Sequence, residues 1–325
     1  MTRVAIGIDL GGTDIKAGLL EESGRLMGHF KKSTEAQLGG RKVVDRIGDL
    51  IGEILESDIL QSGQYDLQGI GIGSPGLIDH EKGAITRPVN IPDWDYWINV
   101  HDIFHERFGL NTWVDNDANV CALGEALYGA GNGRKNVIVL TLGTGVGGGI
   151  IIDGKVFHGM GGFAGELGHI MVNPNGPVCG CGNEGCLETY ASASAIARYA
   201  QDRIKVEHLE TRMKDLAQQN GGQITSKLVY EAAKEGDEEA LLVIERAGKA
   251  LGIGCATLIV SFNPEMICIG GGGSNMGDML FDHTRHEIAR RVFFHSHYQT
   301  PIVAAELGEE AGCIGAAGLV FSNLR

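Results

Sequence analysis

Residues 4–20 read VAIGIDLGGTDIKAGLL, and this stretch decides the fold. Apolar residues alternate with small or polar ones as far as Leu10, then Gly11-Gly12 interrupts them, and a second apolar run begins at Ile15. Alternation with a period of two is typical of strands, and adjacent glycines are typical of a tight turn between strands. The stretch therefore predicts a strand, a glycine turn and a second strand.

Two later segments repeat this glycine-turn pattern. Residues 137–157 read VIVLTLGTGVGGGIIIDGKVF, which is an apolar run, a glycine-rich turn and another apolar run. A third turn at 270–274 (GGGGS) follows the strand-like run 266–269 and precedes a helical stretch at 276–291. Amphipathic helices such as 43–55 lie between these segments, so we expect mixed sheets with helices packed against them. The pattern predicts an α/β fold that is built twice.

The length of 325 residues is enough for two domains. We place the boundary so that residues 1–120 form a smaller N-terminal α/β lobe with the first glycine turn. Residues 121–325 then form a larger C-terminal α/β lobe with the other two turns. A predicted helix at about 309–320 is a candidate for returning to the N-terminal lobe.

Charge and hydropathy exclude several classes of partner. The formal net charge is −14 and no Lys/Arg cluster stands out, which argues against nucleic acid as a partner. The N-terminus turns polar too early for a signal peptide, and glycines break the most apolar stretch, so we expect no membrane partner and a cytoplasmic location. In that reducing compartment, the seven cysteines point to a metal site rather than to disulfides.

The first glycine turn has the residues of a nucleotide site. Its glycines let backbone N–H groups approach phosphate oxygens, its threonine donates a hydrogen bond, and an aspartate at the strand end is suited to Mg²⁺. The residues concerned are Asp9, Gly11, Gly12, Thr13 and Lys16. A plain β-hairpin is the alternative for this motif alone. Its repetition at Gly143, Thr144 and Gly145 favours the nucleotide site.

Two other nucleotide-binding folds fit the sequence less well. The spacing Gly143-x-Gly145-x-x-Gly148 also matches the dinucleotide fingerprint. That fingerprint opens a helix, whereas here an Ile-Ile-Ile run and an Asp-Gly turn predict another strand. A Walker A sequence is absent from the chain, which excludes the P-loop fold.

A compact group of soft metal ligands lies between residues 169 and 186. Cys179-x-Cys181-x₄-Cys186, with His169 ten residues earlier, provides three thiolates and one imidazole. Four such ligands describe a closed tetrahedral Zn²⁺ site whose role is structural. We expect zinc on one ring nitrogen of His169 to fix the tautomer and the plane of the ring.

Together these motifs resemble the ROK family (repressors, open reading frames and kinases). The resemblance runs from about residue 4 to residue 320 and rests on IDLGGTDIK, VDNDAN, LGTGVGGG, GELGH and CGCGNEGCLE. It implies a duplicated two-lobe sugar kinase of the actin-like (ribonuclease H-like) fold. It also implies that Gly11–Thr13 and Gly143–Gly145 bind the phosphates of ATP, and that Gly271, Gly272 and Ser274 lie against the adenosine.

The resemblance further implies the catalytic and sugar-binding residues. Asp117, in D-N-D-A-N, corresponds to the base that accepts the proton of the sugar hydroxyl, although an N-cap is the alternative for this cluster. Further candidates for contacting the sugar are Gly76, Asn90, Asn116, Asp117, Glu166, His169 and Glu188. The expected cofactors are ATP, Mg²⁺ and Zn²⁺.

The motifs leave several functions open. A hexose kinase acting on the 6-hydroxyl of glucose is the first hypothesis, and N-acetylglucosamine, N-acetylmannosamine and fructose kinases share the same motifs. A sugar-sensing regulator is disfavoured, because the first glycine turn comes so early that we expect no DNA-binding domain. A polyphosphate-dependent kinase is disfavoured by the complete adenosine-side turn. The resemblance favours a homodimer or homotetramer.

Overall fold

The computed structural model describes residues 1–206, 208–293 and 300–324. It groups the chain into two compact units. Unit 1 comprises Met1–Asn136, Gly149–Gly165 and Leu307–Arg325, and unit 2 comprises Val137–Gly148 and Glu166–Glu306. The sequence-based boundary at residue 120 falls inside a helix that this grouping keeps whole in unit 1.

The described residues contain strands and α-helices in mixed order. The strands are β1 (Thr2–Leu10), β2 (Asp14–Glu21), β3 (Leu26–Ser33), β4 (Tyr65–Ser74), β5 (Leu77–Asp79), β6 (Ala84–Thr86), β7 (Ile98–Asn99), β8 (Thr112–Asn116), β9 (Val137–Leu142), β10 (Val146–Ile152), β11 (Lys155–Val156), β12 (Met266–Gly270) and β13 (Ile302–Ala304). The α-helices are α1 (Gly40–Leu55), α2 (Asp58–Gln61), α3 (Val100–Phe108), α4 (Asp117–Tyr128), α5 (Glu188–Ala191), α6 (Ala193–Ile204), α7 (Arg212–Gln219), α8 (Ser226–Lys234), α9 (Glu238–Phe262), α10 (Asp278–Arg291) and α11 (Ala311–Asn323).

Two five-stranded sheets share one strand order, as the repeated glycine-turn pattern predicts. The first has the order β3-β2-β1-β4-β8, and the second has the order β11-β10-β9-β12-β13. In the first sheet β1 pairs with β2 antiparallel and with β4 parallel, and β4 pairs with β8 parallel. In the second sheet β12 pairs with both β9 and β13 parallel. A small antiparallel sheet is formed by β5, β6 and β7.

Strand β1 is buried on both faces, because its alternating side chains join two different apolar cores. Ile6, Ile8 and Leu10 join the core that includes the apolar side of α1. Ala5, on the opposite face, joins a smaller core with residues of α11. Because side chains alternate along a strand, the small residues of β1 lie towards α11 and the large ones towards α1.

Helix α11 returns to unit 1 and packs closely against β1, β4 and α4. Glycines make this approach possible, since a Cβ at Gly7 of β1 would overlap the carbonyl oxygen of Cys313, and one at Gly71 of β4 would overlap that of Ala316. A Cβ at Gly315 of α11 would likewise overlap the carbonyl oxygen of Val120 on α4. Backbone contacts at this distance leave no room for a methyl group. Among the described residues, no helix combines the length and the apolar character needed to cross a bilayer.

Candidate active site

The first glycine turn in unit 1 is a β-hairpin that is held by hydrogen bonds within the turn and from Thr34. Asp9 of β1 stands opposite Lys16 of β2, and the backbone N–H of Gly11 donates to the carbonyl oxygen of Asp14 over 3.0 Å. Thr34, which is fully buried, donates its hydroxyl to the Gly11 carbonyl at 2.7 Å and its backbone N–H to the Thr13 carbonyl at 2.8 Å. The sequence patterns did not identify Thr34, because a lone threonine after a strand carries no distinctive spacing.

Two carboxyl groups of unit 1 have raised pKa values. Burial raises the pKa of Asp9, the negative charge of Asp117 raises it further, and Lys16 acts in the opposite direction. Burial likewise raises the pKa of Asp117. A cation would stabilise a partly buried carboxylate whose pKa is raised by a second carboxylate, so Asp9 is suited to Mg²⁺. Lys16 itself forms an ion pair of 3.1 Å with the exposed Glu309.

The D-N-D-A-N motif lies where a strand ends and a helix begins. Strand β8 ends at Asn116 and α4 begins at Asp117. The side-chain oxygen of Asn116 accepts from the backbone N–H of Ala118 at 2.9 Å, and Oδ1 of Asp117 accepts from the same group at 2.9 Å. Asn116 is therefore the N-cap that the alternative interpretation of this cluster described. Asp117 lies in the first turn of the helix, so the N-cap at Asn116 is compatible with the role that the motif predicts for Asp117.

The two remaining sugar candidates of unit 1 occupy different surroundings. Gly76 has φ +99°, and a Cβ there would lie 2.6 Å from the carbonyl oxygen of Thr86, so this turn requires glycine for its backbone. Asn90 is exposed and lies against the first glycine turn, where a Cβ at Gly12 would be 3.0 Å from its own Cβ. The structure thus brings Asn90 next to that turn.

The second glycine turn connects β9 to β10. The backbone N–H of Gly143 donates to the carbonyl oxygen of Gly145 at 3.0 Å. Glu188, the first residue of α5, accepts the backbone N–H of Val146 on Oε2 at 2.9 Å. A Cβ at Gly145 would collide with the same carboxylate oxygen, whereas a Cβ at Gly143 would meet no atom within 4 Å. Glu188, expected from the motif to bind sugar, therefore also holds the second glycine turn.

The third glycine turn lies against the second within unit 2. Gly271 has φ +78°, and a Cβ there would be 2.6 Å from the carbonyl oxygen of Leu142, the residue before Gly143. The hydroxyl of Ser274 donates to the Gly271 carbonyl at 2.7 Å. A Cβ at Gly272 would meet no atom within 4 Å, so this position is open to a ligand. The predicted adenosine-side residues thus form one continuous surface with the predicted phosphate turn.

The four predicted metal ligands of unit 2 come together. One ligand atom from each of His169, Cys179, Cys181 and Cys186 lies within 4.8 Å of all the others. Nδ1 of His169 is 3.7 Å from Sγ of Cys179, and the Sγ atoms of Cys181 and Cys186 are 3.7 Å apart. A tetrahedral zinc with Zn–S bonds of about 2.3 Å has S···S edges of about 3.8 Å, so the cluster fits Zn²⁺.

The cluster also adjoins two of the predicted sugar ligands. Nε2 of His169, the ring nitrogen directed away from Cys179, is 3.9 Å from a carboxylate oxygen of Glu166. Sγ of Cys179 is 3.8 Å from Oε1 of Glu188. Glu166, His169 and Glu188 are therefore neighbours around the Cys/His cluster. A dense set of acceptors of this kind suits a polyol.

Comparisons with known proteins agree with these features. The model of the ROK family matches residues 5–323. A glucokinase of Thermotoga maritima is 38% identical over 98% of both chains, and a xylose repressor of Caldicellulosiruptor bescii is 34% identical over 98% of this chain and 78% of its own. The crystal structure of a ROK family glucokinase from Streptomyces griseus, in complex with glucose and AMPPNP, superposes with a TM-score of 0.76 at 36% identity, covering 98% of this chain and 99% of that one.

These similarities confirm the predicted actin-like α/β fold class. The order of the motifs along the sequence, the repeated five-stranded sheet and the matches over nearly the whole length lead to one assignment. This chain belongs to the ROK family.

Proposed function

We propose that this protein transfers the γ-phosphoryl group of ATP to the 6-hydroxyl of glucose. The observation that carries the proposal is the partly buried Asp117 carboxylate at the start of α4, in a chain with two phosphate-type glycine turns. Phosphoryl transfer to an alcohol needs a carboxylate that accepts the hydroxyl proton, and otherwise depends on positioning and charge neutralisation. The naming of the Thermotoga maritima relative and the ligands of the Streptomyces griseus structure support ATP and glucose as substrates.

Each predicted site residue has a role in this proposal. Asp117 accepts the proton of the 6-hydroxyl, and its raised pKa makes it a stronger base than an exposed aspartate. The backbone N–H groups of the first two glycine turns bind phosphate oxygens, assisted by Thr13, Lys16 and Thr144. Gly271, Gly272 and Ser274 line the adenosine. The remaining proposed sugar contacts come from Gly76, Asn90, Asn116, Glu166, His169 and Glu188.

Two metal ions complete the proposal. Asp9 would hold Mg²⁺, which neutralises charge on the transferring phosphoryl group. His169, Cys179, Cys181 and Cys186 would hold Zn²⁺, which fixes the loop between them and the ring plane of the histidine. His169 then presents Nε2 to a sugar hydroxyl.

Other sugars and a regulatory role are the competing functions. N-acetylglucosamine, N-acetylmannosamine and fructose differ from glucose mainly in the substituents around C2, which the motifs do not read. The xylose repressor relative supports a sugar-sensing regulator. The net charge of −14, together with the complete set Asp9, Lys16 and Asp117, favours the kinase.

A substrate panel tests the proposal. ADP release would be measured with ATP and each of glucose, N-acetylglucosamine, N-acetylmannosamine, fructose and xylose, and the product with glucose would be identified as the 6-phosphate. We expect the highest kcat/KM with glucose. Sugar binding without ADP release would instead support the regulator, and turnover with polyphosphate but not ATP would overturn the choice of donor.

The proposal extends to the assembly of the protein and to its location in the cell. We propose a homodimer or homotetramer, which light scattering on the purified protein would test. None of the seven cysteines, all of which lie in the described residues, forms a disulfide, which supports a reducing compartment such as the cytoplasm.

A further inference from the structure

Asp115, two residues before the proposed base, is fully engaged inside unit 1. It is 3% exposed and lies in β8. Its Oδ1 accepts from the backbone N–H of Asn116 at 2.8 Å and from the side-chain amide of Asn119 at 2.8 Å. Its Oδ2 lies 2.6 Å from Nε2 of His158. Both oxygens are used within the protein, so Asp115 is a support and Asp117 is the carboxylate left for chemistry.

His158 is far from Asp115 in the sequence but contacts it in the fold. Its ring stacks on that of His80 with centroids 3.7 Å apart and planes 7° apart, so the plane of the imidazole is fixed. Its carbonyl oxygen accepts from the backbone N–H of Ala164 at 3.1 Å, which closes the loop 158–164. That loop leads along the chain into Gly165 and Glu166, where a predicted sugar ligand lies. His158 thus connects two segments that carry proposed sugar contacts.

We propose that His158 is a positioning residue, which holds Asn116 and Asp117 in place for phosphoryl transfer by donating Nε2–H to Asp115. The proposal rests on the proposed function. Asp115 holds the backbone of Asn116 on one oxygen, so an unrestrained Asp115 would let the strand end that carries Asn116 and Asp117 shift. Catalysis is sensitive to such shifts, because supporting hydrogen bonds around active groups contribute about 10- to 100-fold where they have been removed.

The imidazole of His158 is the group that holds Oδ2 of Asp115 in place. A cavity of about 240 Å³ adjoins the pair, and its lining includes both histidines, Asp115 and Lys155. A smaller side chain at position 158 would therefore enlarge this cavity and replace the fixed imidazole by water or by the long side chain of the exposed Lys155, neither of which holds Oδ2 in one place. The local structure provides a matched test, since the hydrogen bond and the ring stack can be removed separately.

The experiment compares His158→Ala, His158→Gln and His80→Ala. Glutamine places an amide N–H near the position of Nε2, so it restores the donor without the ring, whereas His80→Ala removes the stack and keeps the donor. We expect His158→Ala to lower kcat about 10- to 100-fold with KM for ATP within about twofold, and His158→Gln to recover most of the loss. His80→Ala should stay within about threefold of wild type. Thermal unfolding by circular dichroism would verify that each variant is folded at the assay temperature.

Calorimetry of glucose binding provides a second measurement that needs no turnover. His158→Ala should weaken glucose binding through Asn116 and leave ATP binding unchanged, with partial recovery in His158→Gln. Equal losses in the alanine and glutamine variants, or a folded His158→Ala with wild-type kcat and glucose affinity, would overturn the positioning role. If the wild-type protein binds glucose but fails to phosphorylate it, the proposed function fails while this binding test still decides the inference.

Discussion

Asp115 and Asp117 lie two residues apart and have opposite surroundings. Asp115 accepts three hydrogen bonds, whereas burial raises the pKa of Asp117. A raised pKa means that the ionised form is disfavoured in the folded state, so an ionised Asp117 lowers stability at neutral pH. The proposed role of Asp117 in catalysis and the stability of the fold are therefore opposed at this residue.

Asp117→Asn should separate the two effects. We expect kcat to fall about 10²- to 10⁴-fold with glucose affinity within about tenfold, because the loss acts on the transition state. The variant should also have the higher Tm at neutral pH. This excess should shrink as pH falls through the raised pKa of the wild-type carboxyl, since the wild type then becomes neutral as well.

Asp115→Asn is the matched control for this experiment. It places an amide N–H beside groups that already donate, so it should lower Tm rather than raise it. Both variants would be measured by steady-state kinetics and by thermal unfolding across a pH series. A folded Asp117→Asn with more than about a tenth of wild-type kcat would rule out Asp117 as the base.

At the scale of elements, the second glycine turn and helix α5 act together through Glu188. Gly145→Ala pushes a methyl group into the Glu188 carboxylate, which must then leave the backbone N–H of Val146. Because Glu188 is also a proposed sugar ligand, we expect KM to rise for ATP and for glucose, each about tenfold or more. A methyl group at Gly143 would meet no protein atom within 4 Å. It would extend only towards the phosphates that this turn is proposed to bind, so Gly143→Ala should raise KM for ATP alone. Identical substrate profiles for the two variants would contradict this coupling.

The packing of α11 on α4 gives a second prediction at this scale. A methyl group at Gly315 would overlap the Val120 carbonyl oxygen, so Gly315→Ala should destabilise by about 3 kcal/mol or more. Gly318, one turn later, would place its methyl 3.3 Å from the end of a Leu127 side chain. Gly318→Ala should therefore be neutral or stabilise by up to about 1 kcal/mol through helix propensity. Thermal unfolding of the two variants tests this prediction. Equal Tm values for Gly315→Ala and Gly318→Ala would show that α11 can move away from α4.

At the scale of the molecule, the proposed zinc should tie stability to sugar binding. We expect about one Zn²⁺ per chain, and Cys181→Ser should lose the metal, lower Tm and raise KM for glucose while ATP binding persists. Cys255→Ser, which removes a buried thiol of α9 outside the cluster, should keep the metal. Metal analysis near zero on native protein would refute the site. Unchanged glucose affinity in folded Cys181→Ser would refute only the second role of His169.

The sequence predicted features whose signals are local. The glycine turns, the strand end at Asp115–Asn119 and the Cys/His cluster were visible because their residues lie within a few positions of one another. The structure adds partners that are far apart in sequence, such as Asp115 with His158, 43 positions away, and Glu188 with Val146, 42 positions away. No periodicity marks such pairs, since they are created by the packing of the finished fold. The same reason explains why Thr34 was missed.

The return of α11 to unit 1 also sets an order of events during synthesis. Residues 1–136 leave the ribosome first, whereas α11, which packs on the face of β1 that includes Ala5 and Gly7, is made only after the whole of residues 137–306. All of unit 2 has then been synthesised while part of this apolar face of β1 is still exposed to solvent. Nascent chains of this protein are therefore expected to need chaperone protection of an early segment until late in translation.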